Sequence, residues 1–254
     1  MERIFLGPFI FIIGASVGSF LNVLIDRLPK NKSILGRSHC DFCGKKLKGA
    51  DLIPIFSFIF LRGRCKYCHK KLSFQYPLVE AITGLTFLSI FNLQPSVFSL
   101  LTLWGIASCL IVIFFSDVKY HLISDYILLA LLVFSALSHL QQISQFPNFL
   151  ISGLVVSAPI FLIYFFSKER AMGLGDVYLT AIIGFLLGWK AGFIALYVAF
   201  VTGAIFGLIL IILKKKKIKS KIPFGPFLVV GALTLLFWSK EIFDLIFRLY
   251  GIGR

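Results

Sequence analysis

Long uninterrupted apolar stretches, rather than an amphipathic stripe or a strand-like alternation, dominate this chain. A helix needs about 20 apolar residues to cross the hydrocarbon core of a bilayer. Eight stretches approach that length: 4–25, 77–93, 97–116, 124–140, 149–166, 177–189, 191–213 and 222–239. Each predicts a membrane helix, and together they predict an all-α, polytopic bundle of about eight spans. The stretch 177–189 is short and predicts a tilted or broken helix, while 77–93 carries Glu80 and should begin in the interface. The long polar interruption at 26–76 divides the chain into a first span at 1–25, a basic insertion at 26–76 and a membrane domain at 77–254. The only basic residue ahead of the first stretch is Arg3, and no small-residue cleavage site follows it, so it is expected to stay in the membrane. At the other end, Ile242, Phe243, Leu245, Ile246, Phe247 and Leu249 surround Asp244 and Arg248. That pattern suits a helix along the interface as well as it suits a continuation of the last span.

Composition excludes a soluble globular domain, with 58% hydrophobic residues and a mean hydropathy of +0.93. The net charge of +15 would otherwise invite a nucleic-acid partner. However, the basic residues cluster at membrane ends, where anionic headgroups attract them, and no basic face is interleaved with aromatics. No nucleic acid is therefore expected; the lipid bilayer is. Residues 26–76 hold twelve of the 26 basic residues, and adding Lys119, Lys168, Arg170, Lys214 to Lys217, Lys219 and Lys221 brings one side to 21 against five. Basic loops stay in the cytoplasm, so the insertion is expected inside and both termini outside.

Within the basic insertion, Cys40-x-x-Cys43 and Cys65-x-x-Cys68 form two thiol hairpins. Paired cysteines of this kind grip a zinc ion as two edges of a tetrahedron. Disulfides fit poorly with a reducing cytoplasm, and a redox couple would need only one pair. A small loop gains much of its folding free energy from such a metal, so the zinc is expected to be structural. His39 and His69 read as neighbours of the thiols and Cys109 as a small core residue.

Asp117 closes the third stretch, and Asp176, within Gly173-Leu174-Gly175-Asp176, opens the sixth. A carboxylate at a membrane edge is costly unless it is paired or protonated, which makes it a functional-site candidate. The span count puts both on one side, and two such groups point to an aspartyl hydrolase. Their helix ends have opposite polarity, favouring a carboxylate at Asp176 and a carboxylic acid at Asp117. These are the roles of a water-activating base and a carbonyl-polarising acid. Gly173 and Gly175 let an extended peptide backbone come close. Asp125, beside Ser124, fits a helix cap.

These residues resemble the type IV prepilin peptidases, bifunctional leader peptidase and N-methyltransferase enzymes of the Gly-x-Gly-Asp aspartyl protease group. The likeness runs from Gly18-Ser19-Phe20-Leu21-Asn22-Val23 and Arg27-Leu28-Pro29 through the four cysteines and Arg62-Gly63-Arg64-Cys65. It continues in Tyr76-Pro77-Leu78-Val79-Glu80, Asp117, Met172-Gly173-Leu174-Gly175-Asp176 and Pro223-Phe224-Gly225-Pro226-Phe227. The resemblance implies that Asp117 and Asp176 are the catalytic pair and that the four cysteines bind zinc. It also implies a place in the bacterial cytoplasmic membrane with the active site facing inward. The implied reaction is cleavage of the basic leader of a prepilin or pseudopilin after a glycine, then methylation of the new amine by S-adenosylmethionine; Asp26, Glu80, Asp117, Asp125 and Asp176 are the acidic groups expected to guide that basic leader. The chain departs from the family pattern at Ser124, where relatives often carry proline, and at Tyr178, where lysine is common. Competing classes are a transporter, which places carboxylates near the midplane, and a zinc-ribbon scaffold, which leaves both aspartates unexplained.

Overall fold

The computed structural model describes residues 2–40, 42–93, 95–170, 172–214 and 222–250. Lys215 to Lys217, Lys219, Lys221, Asp41 and Arg254, which entered the charge count, lie outside the described residues. Among the described residues there are helices and two isolated bridges and no strand, as the apolar pattern predicts. In hydrocarbon every backbone polar group must be satisfied internally, and a helix does this within one segment. The chain divides into two compact units, Met1–Val112 and Ile113–Arg254, the boundary falling within one helix.

In the first unit, α1 (Glu2–Arg27) packs along α3 (Gln75–Asn92), with the short α2 (Phe56–Phe60) between them in sequence. Small residues make the close approach possible. A Cβ added at Gly14 would stand 2.8 Å from Gly84 Cα, and one at Gly18 would stand 2.8 Å from Glu80 Cα. Asn22, buried on α1, donates to the carbonyl of Tyr76 at 3.1 Å, and the Tyr76 hydroxyl donates to Asp26 at 3.0 Å. Toward the other end of α3, Trp104 stacks on Phe87 and donates from its indole nitrogen to the Phe87 carbonyl at 3.2 Å. Trp104 belongs to α4 (Val97–Tyr120). Gly18→Leu is expected to cost about 1–3 kcal/mol by overpacking. A lower melting temperature in detergent than for Ser16→Leu, on the exposed face of the same helix, would register it.

The second unit is built around α7 (Leu174–Ile212), which packs on α6 (Phe146–Ser167), α8 (Gly225–Tyr250) and α5 (Asp125–Ser138). Here too small residues set the distances: a Cβ at Gly184 would meet Val156 Cβ at 2.7 Å and the Ser152 carbonyl at 2.8 Å. The helix α7 breaks at Gly188, whose φ of 77° and ψ of 166° are not helical. A break frees carbonyls of the preceding turn. Buried His139 meets one of them, with its Nε2 3.1 Å from the Phe185 oxygen and its ring stacked on Phe149.

The eight predicted stretches all fall on helices, with one correction to their count. Spans 177–189 and 191–213 form two helical segments of α7 that meet at the non-helical Gly188, so the break falls at the end of the short span rather than within it. Among the described residues five helices are long and apolar enough to cross a membrane unaided: Leu6–Lys30, Val97–Tyr120, Ile143–Ser167, Leu174–Ile212 and Gly225–Leu245. The helix α3 is diluted by Gln75, Glu80, Thr83 and Thr86, and α5 is short. Near the other terminus α8 runs on to Tyr250, but Trp238 departs from helical geometry, so the amphipathic tail is set off by a kink.

Candidate active site and metal centre

Three helix ends of the second unit converge on one carboxylate pair. Asp117 lies in the last turn of α4 and is only 6% exposed. The chain leaves that helix through His121, in the left-handed region at φ 54°, whose N–H donates to the Asp117 carbonyl at 2.9 Å. Asp176 sits half-buried in the first turn of α7, where its carboxylate accepts the Gly173 N–H at 3.2 Å. This is the usual way for an acidic side chain to satisfy an unpaired donor at a helix start. Thr180, one turn on, donates to the Asp176 carbonyl at 2.7 Å.

The third helix end is that of α8, which the aspartate pattern in the sequence did not reveal. The N–H of buried Gly225, its first residue, donates to the Asp117 carboxyl. A Cβ at Gly225 would stand 2.6 Å from Asp117 Oδ2, so only glycine lets the backbone approach this far. Ile123, from the connection between α4 and α5, fills the space between this glycine and Gly175. Added Cβ atoms at either position would lie 3.2 Å from it. The opposite polarity expected for the two aspartates is therefore only part of the field. Asp117 ends α4, but it also faces the positive start of α8, which opposes the negative end of its own helix. The signal available in the sequence was Pro223-Phe224-Gly225-Pro226, since proline belongs in the first turn of a helix.

The other predicted site residues lie elsewhere. Gly173 is exposed and Gly175 half-buried, one on each side of Leu174 at the start of α7. Asp125 is exposed in the first turn of α5; the cap position itself is Ser124, which makes no side-chain cap bond. Glu80 belongs to the first unit and is 8% exposed. Its carboxyl accepts the Ile55 N–H at 2.7 Å and the Ser19 hydroxyl. A cavity of about 640 Å³ lies near the Gly188 break, between Leu186, Ala191, Leu235 and Lys240, and neither aspartate lines it.

In the first unit Cys40, Cys43, Cys65 and Cys68 come together, their sulfurs all within 4.8 Å of one another. With zinc–sulfur bonds of about 2.3 Å, tetrahedral thiolates stand about 3.8 Å apart. Cys40 and Cys68 are already 3.9 Å apart, so the donor set and spacing fit the ion. The two hairpins repeat one turn. Cys40 N–H donates to the Lys45 carbonyl at 3.0 Å and Cys65 N–H to that of Lys70 at 2.9 Å. Backbone N–H groups of Cys68 and Tyr67 pull the Cys65 thiol down to about 7, toward the ionised form a metal takes. His39 and His69 are exposed and outside the cluster, and Cys109 is buried in α4, as the sequence predicts.

Asp51 braces the hairpins by accepting the Lys48 N–H at 3.0 Å and the Tyr67 hydroxyl at 3.2 Å, with Lys66 Nζ 3.7 Å away. Asp51→Ala is expected to speed the loss of bound zinc to a chelator several-fold, followed with a zinc-sensitive dye. An unchanged rate would deny Asp51 this part.

A multi-pass, all-helical membrane fold with a carboxylate pair at converging helix ends and a separate four-thiol cluster defines a narrow class of membrane protein. Within that class, residues 12–93 match the bacterial peptidase A24 N-terminal domain and residues 104–208 match the type IV leader peptidase family. The chain belongs to that family. It is 32% identical to the prepilin leader peptidase/N-methyltransferase of Bacillus subtilis (strain 168), over 92% of this chain and 94% of that protein. The like-named protein of Legionella pneumophila is also 32% identical, over 92% and 91%. That of Pectobacterium carotovorum subsp. carotovorum is 34% identical, over 87% and 88%. No solved structure matches the chain.

Proposed function

We propose that this chain is a membrane aspartyl endopeptidase that removes the basic leader of a prepilin or pseudopilin and then N-methylates the exposed amine. The observation that carries the reading is that the helix ends bearing the two aspartates are brought together, Ile123 lying against both Gly175, the neighbour of Asp176, and Gly225, which lies against Asp117. In the proposed cycle Asp176, as carboxylate, takes a proton from a water molecule while the Asp117 carboxylic acid hydrogen-bonds to the scissile carbonyl. The water oxygen adds to the carbonyl carbon. Collapse of the tetrahedral species breaks the C–N bond, and the departing amine receives a proton from the pair. Exposed Gly173 brings no side chain to the start of α7, which leaves room for the substrate backbone, while the bare Gly175 beside it admits the side chain of Ile123.

The leader is basic, and acidic groups are assigned its capture. Asp125 offers an exposed carboxylate. Glu80 completes that set, its carboxyl also accepting the Ile55 N–H at 2.7 Å. The excess of basic residues in 26–76 supports placing that segment and the site at the cytoplasmic face of the bacterial inner membrane. Zinc, held by Cys40, Cys43, Cys65 and Cys68, serves as a structural ion. S-adenosylmethionine, as methyl donor, supplies an electrophilic methyl group to the free amine. Among the described residues no strand leads through a glycine-rich turn into a helix, the common nucleotide cradle. By elimination the basic segment 26–76 is its host.

Detergent-solubilised protein incubated with a prepilin and followed by mass spectrometry tests the reading. Loss of the leader mass, and a further gain of one methyl when S-adenosylmethionine is added, are the expected results. A substrate that stays intact with wild-type protein would refute the peptidase. A transporter or scaffold would give that outcome, and both leave the paired burial of the aspartates without a purpose.

A further inference from the structure

The most basic segment of the chain contains its own uncharged run, Ile53-Pro54-Ile55-Phe56-Ser57-Phe58-Ile59-Phe60-Leu61. It is too short to span a bilayer, and it is not buried in the protein. Phe58 alone among its aromatics turns inward, with its ring edge-on to Phe74 and against Gly63. Phe56, Ile59 and Phe60 project outward at 60%, 64% and 82% exposure, with exposed Ile53 and Phe74 beside them. Leaving such side chains in water forgoes the free energy of burying them, so a patch of five calls for a covering surface.

Three further observations indicate what covers it. The patch is held in place by a strained turn: Ile55, a β-branched residue, has φ 63° and ψ −51°, and the Phe56 N–H donates to the Pro54 carbonyl at 2.6 Å. Such three-residue turns at positive φ are rare and costly. The strain is offset by the hydrogen bond from the Ile55 N–H to Glu80 at 2.7 Å. Glu80 is in the second turn of α3, so the patch is tethered near the start of a helix whose own outer face shows Leu78 and Leu85. The rim is basic: Arg62, Arg64 and Lys66 are exposed. The nearby Asp51 is taken up by Lys48, Tyr67 and Lys66.

We propose that Ile53–Phe60 is an interfacial anchor that seats in the anionic leaflet beside α3, its aromatics at the acyl boundary and Arg62, Arg64 and Lys66 among the headgroups. A basic rim complements anionic lipid. It opposes both a basic leader and a second copy of the same rim. Glu80 then has a mechanical role, because by fixing the turn at Ile55 it ties the metal-binding segment to the membrane surface. The inference rests on the multi-pass fold and is independent of the peptidase reading.

The full chain, zinc-loaded and reconstituted in phosphatidylethanolamine/phosphatidylglycerol vesicles, carries p-benzoylphenylalanine in place of Phe60 and is irradiated. The expected products are lipid adducts, reduced several-fold by Glu80→Ala and by replacing phosphatidylglycerol with phosphatidylcholine. Adducts only to added prepilin or to a second copy, or none at all, would overturn the proposal. On the unmodified chain, chymotrypsin should cut after Phe56 and Phe60 several-fold more slowly in the anionic vesicles than in the neutral ones. Equal cutting would also overturn it.

Discussion

Asp117→Asn and Asp176→Asn each stop leader removal, with kcat falling roughly a thousandfold or more, about 4 kcal/mol in activation free energy. The amide keeps the size of the carboxyl and can still fill the space beside Gly225 and Gly173, so the fold should survive. What is lost is the capacity to hold or release a proton at that position. Because the two groups act as a unit, the double variant should be little worse than either single one. Methylation of a prepilin that already lacks its leader should continue in both variants, which distinguishes loss of chemistry from loss of protein. Single-turnover cleavage followed by mass spectrometry reads both quantities. Wild-type cleavage rates in either variant would dismiss the pair from the reaction.

Gly225→Ala, a change of one methyl group outside the Gly-x-Gly-Asp sequence, should lower kcat by roughly a hundredfold. The added Cβ would lie 2.6 Å from Asp117 Oδ2 and 3.2 Å from the Ile123 side chain, so something must move. Displacing a catalytic group by an ångström costs on that scale. The cheapest movement is of the Asp117 carboxyl or of the first turn of α8, and either one breaks the hydrogen bond from Gly225. Since α8 would still pack on α7 further along, substrate binding should be little affected and KM nearly constant. Equal loss in KM and kcat, or a fully active variant, would show that α8 does not position Asp117.

Legibility in the sequence differed from part to part, for physical reasons. Apolar runs marked every membrane helix because a backbone in hydrocarbon has no other way to satisfy its N–H and C=O groups within one segment. The shortness of 177–189 suggested a break within that stretch, whereas the chain turns at its end, at Gly188, and the meeting of His139 with the Phe185 carbonyl there is visible only in three dimensions. Composition marked Asp117 and Asp176, since acids are rare in such runs. It could not reveal Gly225, whose glycine earns its place only when another helix end arrives. The apolar run at Ile53–Leu61 was plain in the sequence, yet it was too short for a span and too aperiodic for an amphipathic helix. Its exposure and its tether to Glu80 are visible only in three dimensions.

By itself the sequence determined the class of protein, the helical segments and the four cysteines that cluster. Each of these depends on local quantities: hydrophobic length, charge next to a membrane end, and cysteines spaced to share one turn. The tertiary structure decided which helix ends meet. The starts of α7 and α8 and the end of α4 come together because small residues along the helices set how closely they pack. That is a property of surfaces far apart in the chain, which no local pattern encodes.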